Sequence, residues 1–173
     1  DLRLVNNDQQ LVSCSSDLSL KLIDLTSSPS SLENSMTSLN SDQNNGVIHR
    51  FPNVHTDYVK KLSYIEQDNQ IVSGGLDGRI VIWDLNLLKP IDEFQNVASN
   101  TSLPSSVYSL SNNNSNLIGT GGPNNTINLY DKRASQSSNS HLIRKLIGHQ
   151  DNVRCLLMND NFILSGSSDT TLK

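Results

Sequence analysis

The chain has 173 residues, 35% apolar and 17% charged, with a formal net charge of −4. That length is enough for one domain with a sizeable core. The negative balance argues against nucleic acid as the main partner, because phosphate binding needs a positive surface, and no apolar run approaches the roughly 18 residues of a membrane helix.

In the first unit, residues 1–25, Leu2, Leu4 and Val5 end one strand and Leu11-Val12-Ser13-Cys14 form the next. Ser15-Ser16-Asp17-Leu18 is a turn, after which Leu20, Leu22 and Ile23 lead to Asp24. Period-two alternation between turn residues predicts strands. Residues 26–46 are Ser/Asn-rich without usable periodicity and read as a flexible loop inserted between units.

The second unit, 47–85, is the best formed. His55 precedes an alternating strand. Ser73-Gly74-Gly75-Leu76-Asp77-Gly78 follows, then a further strand ending in Trp83-Asp84. The third unit, 91–131, repeats this grammar as IDEF, SVYSL, NLIGT and TINLYD, and the fourth covers 141–173. From Asp77 to Asn124 is 47 residues and from Asn124 to Asp169 is 45, while Asp17 to Asp77 is stretched to 60 by the inserted loop. A period of about 40–45 residues, with His early and Trp-Asp late, is the signature of WD repeats, four strands to a propeller blade. The predicted fold is all-β: a partial WD40-type β-propeller with about three and a half four-stranded blades, residues 1–173 being part of one seven- or eight-bladed domain. A twisted β-sandwich is the structural alternative.

His55, Ser73 and Asp77 invite a catalytic-triad reading. The fourth unit carries His149, Ser165 and Asp169 at matching spacing, and catalytic groups are not normally duplicated once per blade. The repetition favours a buried polar network instead. Asp accepts from the imidazole, Ser meets the other ring nitrogen, and the Trp83 N–H finds the hydroxyl. No catalytic residue, metal site or cofactor is expected. The glycine pairs are turn and close-packing residues, since no phosphate-loop pattern or following helix is present. Cys14 and Cys155 lie in strand patterns and read as buried reduced thiols.

Two units depart from the pattern. Ile23 takes the Trp position in the first; Leu103, Asn124 and Tyr130 replace His, Asp and Trp in the third. Those blades are expected to rely on packing. In each blade the residue after the strand-opening Val should point to the rim of one propeller face, which singles out Lys60, Tyr108 and Arg154 as partner-binding candidates.

Taken together, HTDYVKKLSY, IVSGGLDGRIVIWDLN, SSVYSL and GHQDNVRCLL…LSGSSDTTLK resemble the WD repeat-containing protein 48 family, activator subunits of ubiquitin-specific proteases. The likeness covers nearly all the chain apart from 26–46, 95–104 and 134–140, and the Asn/Ser-rich loops look like those of a yeast member. The resemblance implies a non-enzymatic scaffold that grips the protease catalytic domain and raises its activity, with ubiquitin as a second ligand. It also implies that the basic residue after Asp-Asn-Val, here Arg154, pairs with an acidic residue of the protease; Lys60 and Tyr108 follow. The compartment expected is the cytoplasm, with the nucleus second. The alternatives are a general WD40 scaffold and a substrate receptor of a cullin-type ubiquitin ligase. The receptor reading is motivated by Tyr130-Asp131-Lys132-Arg133, which is similar to an adaptor-docking tetrapeptide.

Overall fold

The computed structural model describes residues 1–26, 46–98, 103–134 and 141–173. Most of the stretch read as an inserted flexible loop lies outside the described residues.

Fourteen strands are described, in four antiparallel sheets. The first sheet orders β1 (Leu2–Val5), β2 (Gln10–Cys14), β3 (Leu20–Asp24) and β4 (Val47–Arg50). The second orders β5 (Val59–Ile65), β6 (Gln70–Gly75), β7 (Arg79–Asp84) and β8 (Lys89–Gln95). The third contains β9 (Ser109–Asn112), β10 (Leu117–Gly121), β11 (Thr126–Asp131) and β12 (Leu142–Ile147). The fourth pairs β13 (Val153–Met158) with β14 (Ile163–Ser167). The first strands of successive sheets are neighbours, β1 beside β5, β5 beside β9 and β9 beside β13. The sheets therefore stack side by side as the blades of a partial propeller that does not close.

The second, third and fourth sequence units are each shared between two blades. The segment Val47–Arg50, which opens the second unit in sequence, pairs with β3 and forms the outer strand of the first blade. Likewise β12 closes the third blade on β11. Turn chemistry fixes these hairpins. Asp24, Asp84 and Asp131 each end a third strand and accept an N–H two residues on, from Thr26, Asn86 and Arg133 at 2.8, 2.8 and 2.9 Å.

The second blade is covered on both faces, which explains the unbroken apolar run Ile80-Val81-Ile82-Trp83. Ile71, Val81 and Trp83 face a core shared with Val5, Val12, Leu20 and Leu22 of the first blade. Val72, Ile80 and Ile82 face the other way, toward Val107, Leu110, Ile118 and Tyr130 of the third. Two glycines set the blade spacing. A Cβ on Gly74 would lie 2.6 Å from Val107 Cγ1, and one on Gly121 would lie 2.6 Å from Val153 Cγ1. The strand-opening valines of the third and fourth blades thus rest on the bare backbone of the blade before them.

Cys14 is buried, its thiol pKa raised by burial, and its Sγ donates to Val59 O at 3.4 Å. Cys155 departs from expectation: it is exposed. Among the described residues no further sheet lies against the face of β13–β14 that carries it with Leu157 and Leu164, so strand alternation does not translate into burial.

Candidate functional site

The second blade places His55 in the segment entering β5, Ser73 on β6, Asp77 in the turn after β6 and Trp83 on β7. His55 Nδ1 lies 3.2 Å from both Asp77 oxygens, and His55 Nε2 lies 2.8 Å from Ser73 Oγ. The Trp83 Nε1–H donates to Ser73 Oγ at 2.8 Å. One proton assignment satisfies every group. Trp83 can only donate, so the Ser73 oxygen accepts from it and the Ser73 proton goes to His55 Nε2. The imidazole is then neutral and donates from Nδ1 to Asp77. Burial acts against the charged form of Asp77. Donation from His55 and from the Thr56 and Arg79 N–H groups (2.8 and 2.9 Å) outweighs it and holds the carboxyl below its ordinary value. The Ser73 hydroxyl is fully buried and receives the Trp83 N–H, so it presents no exposed nucleophile.

The fourth unit builds the same chain. His149 Nδ1 lies 2.9 Å from Asp169 Oδ2, and His149 Nε2 lies 2.8 Å from Ser165 Oγ. Burial raises the Asp169 pKa, but donors from Gln150, Thr171 and His149 bring it well below the usual range.

The third blade has a network that the spacing of the marks does not reveal. Asn96, in the segment after β8, is buried beside the chain segment that carries Ser105. Its Oδ1 accepts from Thr120 Oγ1 (2.8 Å), Tyr130 OH (2.8 Å) and Asn128 Nδ2 (2.9 Å), and its Nδ2 donates to Ser105 O at 2.7 Å. Burial pushes the Tyr130 hydroxyl up to about 12, so it stays a donor. The blade expected to depend on packing therefore has a polar lock of its own. Thr120 and Tyr130 occupy the Ser and Trp positions, and both hydroxyls need an acceptor; that need was the available signal. Leu103, at the His position, is 67% exposed.

The three rim candidates come together on the face that carries the Asp77 turn. Lys60, Tyr108 and Arg154 line one open bowl of about 480 Å³, with Lys61, Leu76, Ser106 and Asp57. The Arg154 guanidinium carbon lies 5.2 Å from the centre of the Tyr108 ring, a cation–π contact, and Arg154 Nε donates to Ser168 Oγ at 3.0 Å. Local backbone geometry aims these side chains. The ladder slips between Val59 and Lys61, and again between Val153 and Cys155, so Lys60 and Arg154 are both the extra residue of a β-bulge. The slip also brings Lys61 into the bowl, where strict alternation would turn it away. Sequence periodicity could not supply that residue. Arg3, Arg79, Lys132 and Arg133 each meet a carboxylate, whereas Lys60, Lys61 and Arg154 form no ion pair among the described residues.

The WD domain, G-beta repeat family matches residues 46–84 and 140–173, the two stretches that keep the His–Ser–Asp chain. Over those two stretches the chain is similar to WD40 repeats. Solved structures agree on the fold. The RRP9 WD40 repeats superpose with a TM-score of 0.73 at 16% identity, over 99% of this chain and 46% of that one. U3-55K gives 0.70 at 15% identity, over 96% and 44%. The computationally designed Ika4 protein gives 0.67 at 24% identity, over 95% and 83%. The chain thus spans just under half the length of the first two. WD40 propellers are in general protein-interaction scaffolds. Among the described residues no group of three or more His, Cys, Asp or Glu could hold a metal ion, and no helix is long and apolar enough to cross a membrane.

The Tyr130–Arg133 tetrapeptide lies at the end of β11 in the third blade. Tyr130 is buried, Lys132 Nζ is ion-paired with Asp68 of the second blade, and Arg133 pairs with Asp131 at 2.8 Å. Both cations of the motif are engaged within the protein.

Proposed function

We propose that this chain is a non-catalytic scaffold that binds and activates a ubiquitin-specific protease through the rim formed by Lys60, Tyr108 and Arg154, with ubiquitin as a second ligand, in the cytoplasm or the nucleus. The observation that carries the reading is the gathering of three cations without carboxylate partners around Tyr108, on a surface whose other arginines are neutralised by neighbours more often than not. A rigid aromatic flanked by unpaired cations suits an acidic protein surface. The sequence resemblance to protease activators gives that surface an owner. Activation follows if the scaffold favours the active arrangement of the protease by its differential affinity for it. The ligase-receptor alternative is less well supported, because Lys132 and Arg133 are already paired within the protein.

The test is ubiquitin–fluorophore hydrolysis by a ubiquitin-specific protease that co-purifies with the protein. Adding the protein should raise turnover, and Arg154→Glu should abolish the rise while leaving the melting temperature unchanged. A protease whose turnover ignores the protein would refute the proposal.

A further inference from the structure

We propose that the rim bowl is a receptor for a phosphorylated serine or threonine on the partner protein. This rests on the reading that the bowl is the docking site, and it specifies the chemical group that enters it.

Charge comes first. Lys60, Lys61 and Arg154 line the bowl, and Asp57 is its one acidic lining residue, which leaves two uncompensated positive charges. A single carboxylate would leave half of that surplus unmet. A phosphoryl group carries about −1.5 to −2 at pH 7 and matches it. Hydrogen-bond capacity points the same way. Arg154 uses Nε on Ser168, so its two terminal amino groups remain to grip two phosphoryl oxygens side by side. The Tyr108 ring beneath the guanidinium fixes its plane before any ligand arrives. Ser106 donates its hydroxyl to Leu76 O at 2.7 Å, and Asp57 Oδ1 accepts from the Tyr58 N–H at 2.7 Å, so the polar groups between the cations are occupied within the rim. Both lysines lack carboxylate partners among the described residues and can close on a third oxygen. Lys60 is the extra residue of a β-bulge, and both it and Lys61 line the bowl. The patch is too small, and the chain too acidic at −4, to hold a run of nucleic-acid phosphates.

The experiment passes a degenerate phosphoserine and phosphothreonine peptide pool over the immobilised protein. Retained peptides are then measured by fluorescence anisotropy at physiological salt, each beside its Glu-substituted and unphosphorylated forms. The phosphorylated form should bind at least tenfold more tightly than either. That advantage should vanish in Arg154→Gln and in the Lys60→Gln/Lys61→Gln double variant, and persist in Lys89→Gln on an outer strand. Inorganic phosphate should compete. Equal binding of the Glu form would overturn this inference while leaving the rim as a docking site for acidic proteins. No retained peptide, an advantage that survives both bowl variants, or equal binding of a single-stranded oligonucleotide would also overturn it. If the bowl variants in addition left protease co-purification unchanged, the proposed function would fail with it.

Discussion

Replacing Ser73 by Ala tests the hydrogen-bond chain of the second blade with almost no change in volume. Ser73 and Trp83 are both fully buried, and His55 is 3% exposed, so water cannot stand in for the lost hydroxyl. Two groups lose their partner: the Trp83 Nε1–H, which donates to Ser73 at 2.8 Å, and His55 Nε2, at 2.8 Å. A buried polar group left unsatisfied costs about 1–3 kcal/mol, so Ser73→Ala should lose on the order of 2–6 kcal/mol. Ser165→Ala provides the internal comparison. It strands His149 Nε2, but Ser165 receives no bond from an indole. Ser165 also donates weakly to Lys173 O at 3.4 Å, at the exposed chain end, so the difference between the two variants reports mainly the Trp83 N–H and should be about 1–3 kcal/mol. Urea unfolding followed by the fluorescence of Trp83, the single tryptophan of the sequence, and by far-ultraviolet circular dichroism gives both midpoints. A Ser73→Ala midpoint equal to that of Ser165→Ala, or to that of the parent protein, would refute the assignment of the indole bond.

Asn96→Ala should destabilise the third blade by about 2–4 kcal/mol, since three buried donors lose one acceptor; an unchanged thermal midpoint would count against the lock. Gly121→Ala puts a methyl 2.6 Å from Val153 Cγ1 and should cost about 1–3 kcal/mol through overpacking, whereas Gly148→Ala, whose Cβ would meet nothing closer than 3.6 Å, should be neutral in the same melt. Stability should fall in acid. Asp77 has a lowered pKa in the folded protein, so its contribution is complete above about pH 5 and lost as pH falls through the native value. Urea midpoints between pH 7 and pH 3 should drop, and Asp77→Asn should flatten that slope; an unaltered slope would exclude Asp77 as a source.

The strands and their grouping were legible because period two, the Gly pairs and the Asp turns are local signals. His55, Ser73, Asp77 and Trp83 could be linked from spacing, and their distances fall within hydrogen-bond reach. Asn96 was not legible. It acts from the segment after β8, well before Leu103, and a single asparagine among many in this sequence has no pattern to set it apart. Lys61 was hidden because a bulge changes which side a residue faces without changing the letters around it. Cys155 was misjudged because alternation tells which residues share a face, and burial depends on what lies against that face. The blade boundaries were offset from the sequence units because a repeat in the chain begins one strand before the sheet it belongs to.

The bulges at Lys60 and Arg154 separate two kinds of information. A bulged residue has no counterpart across the ladder, so the sheet places no demand on its identity. Val153, beside Arg154, is the opposite case, pressed against Gly121 of the preceding blade with little room for exchange. The fourth blade thus offers one freely variable letter next to one that is fixed. A lineage of such proteins can rewrite its recognition code at that letter, partner by partner, while the architecture that displays it is inherited unchanged.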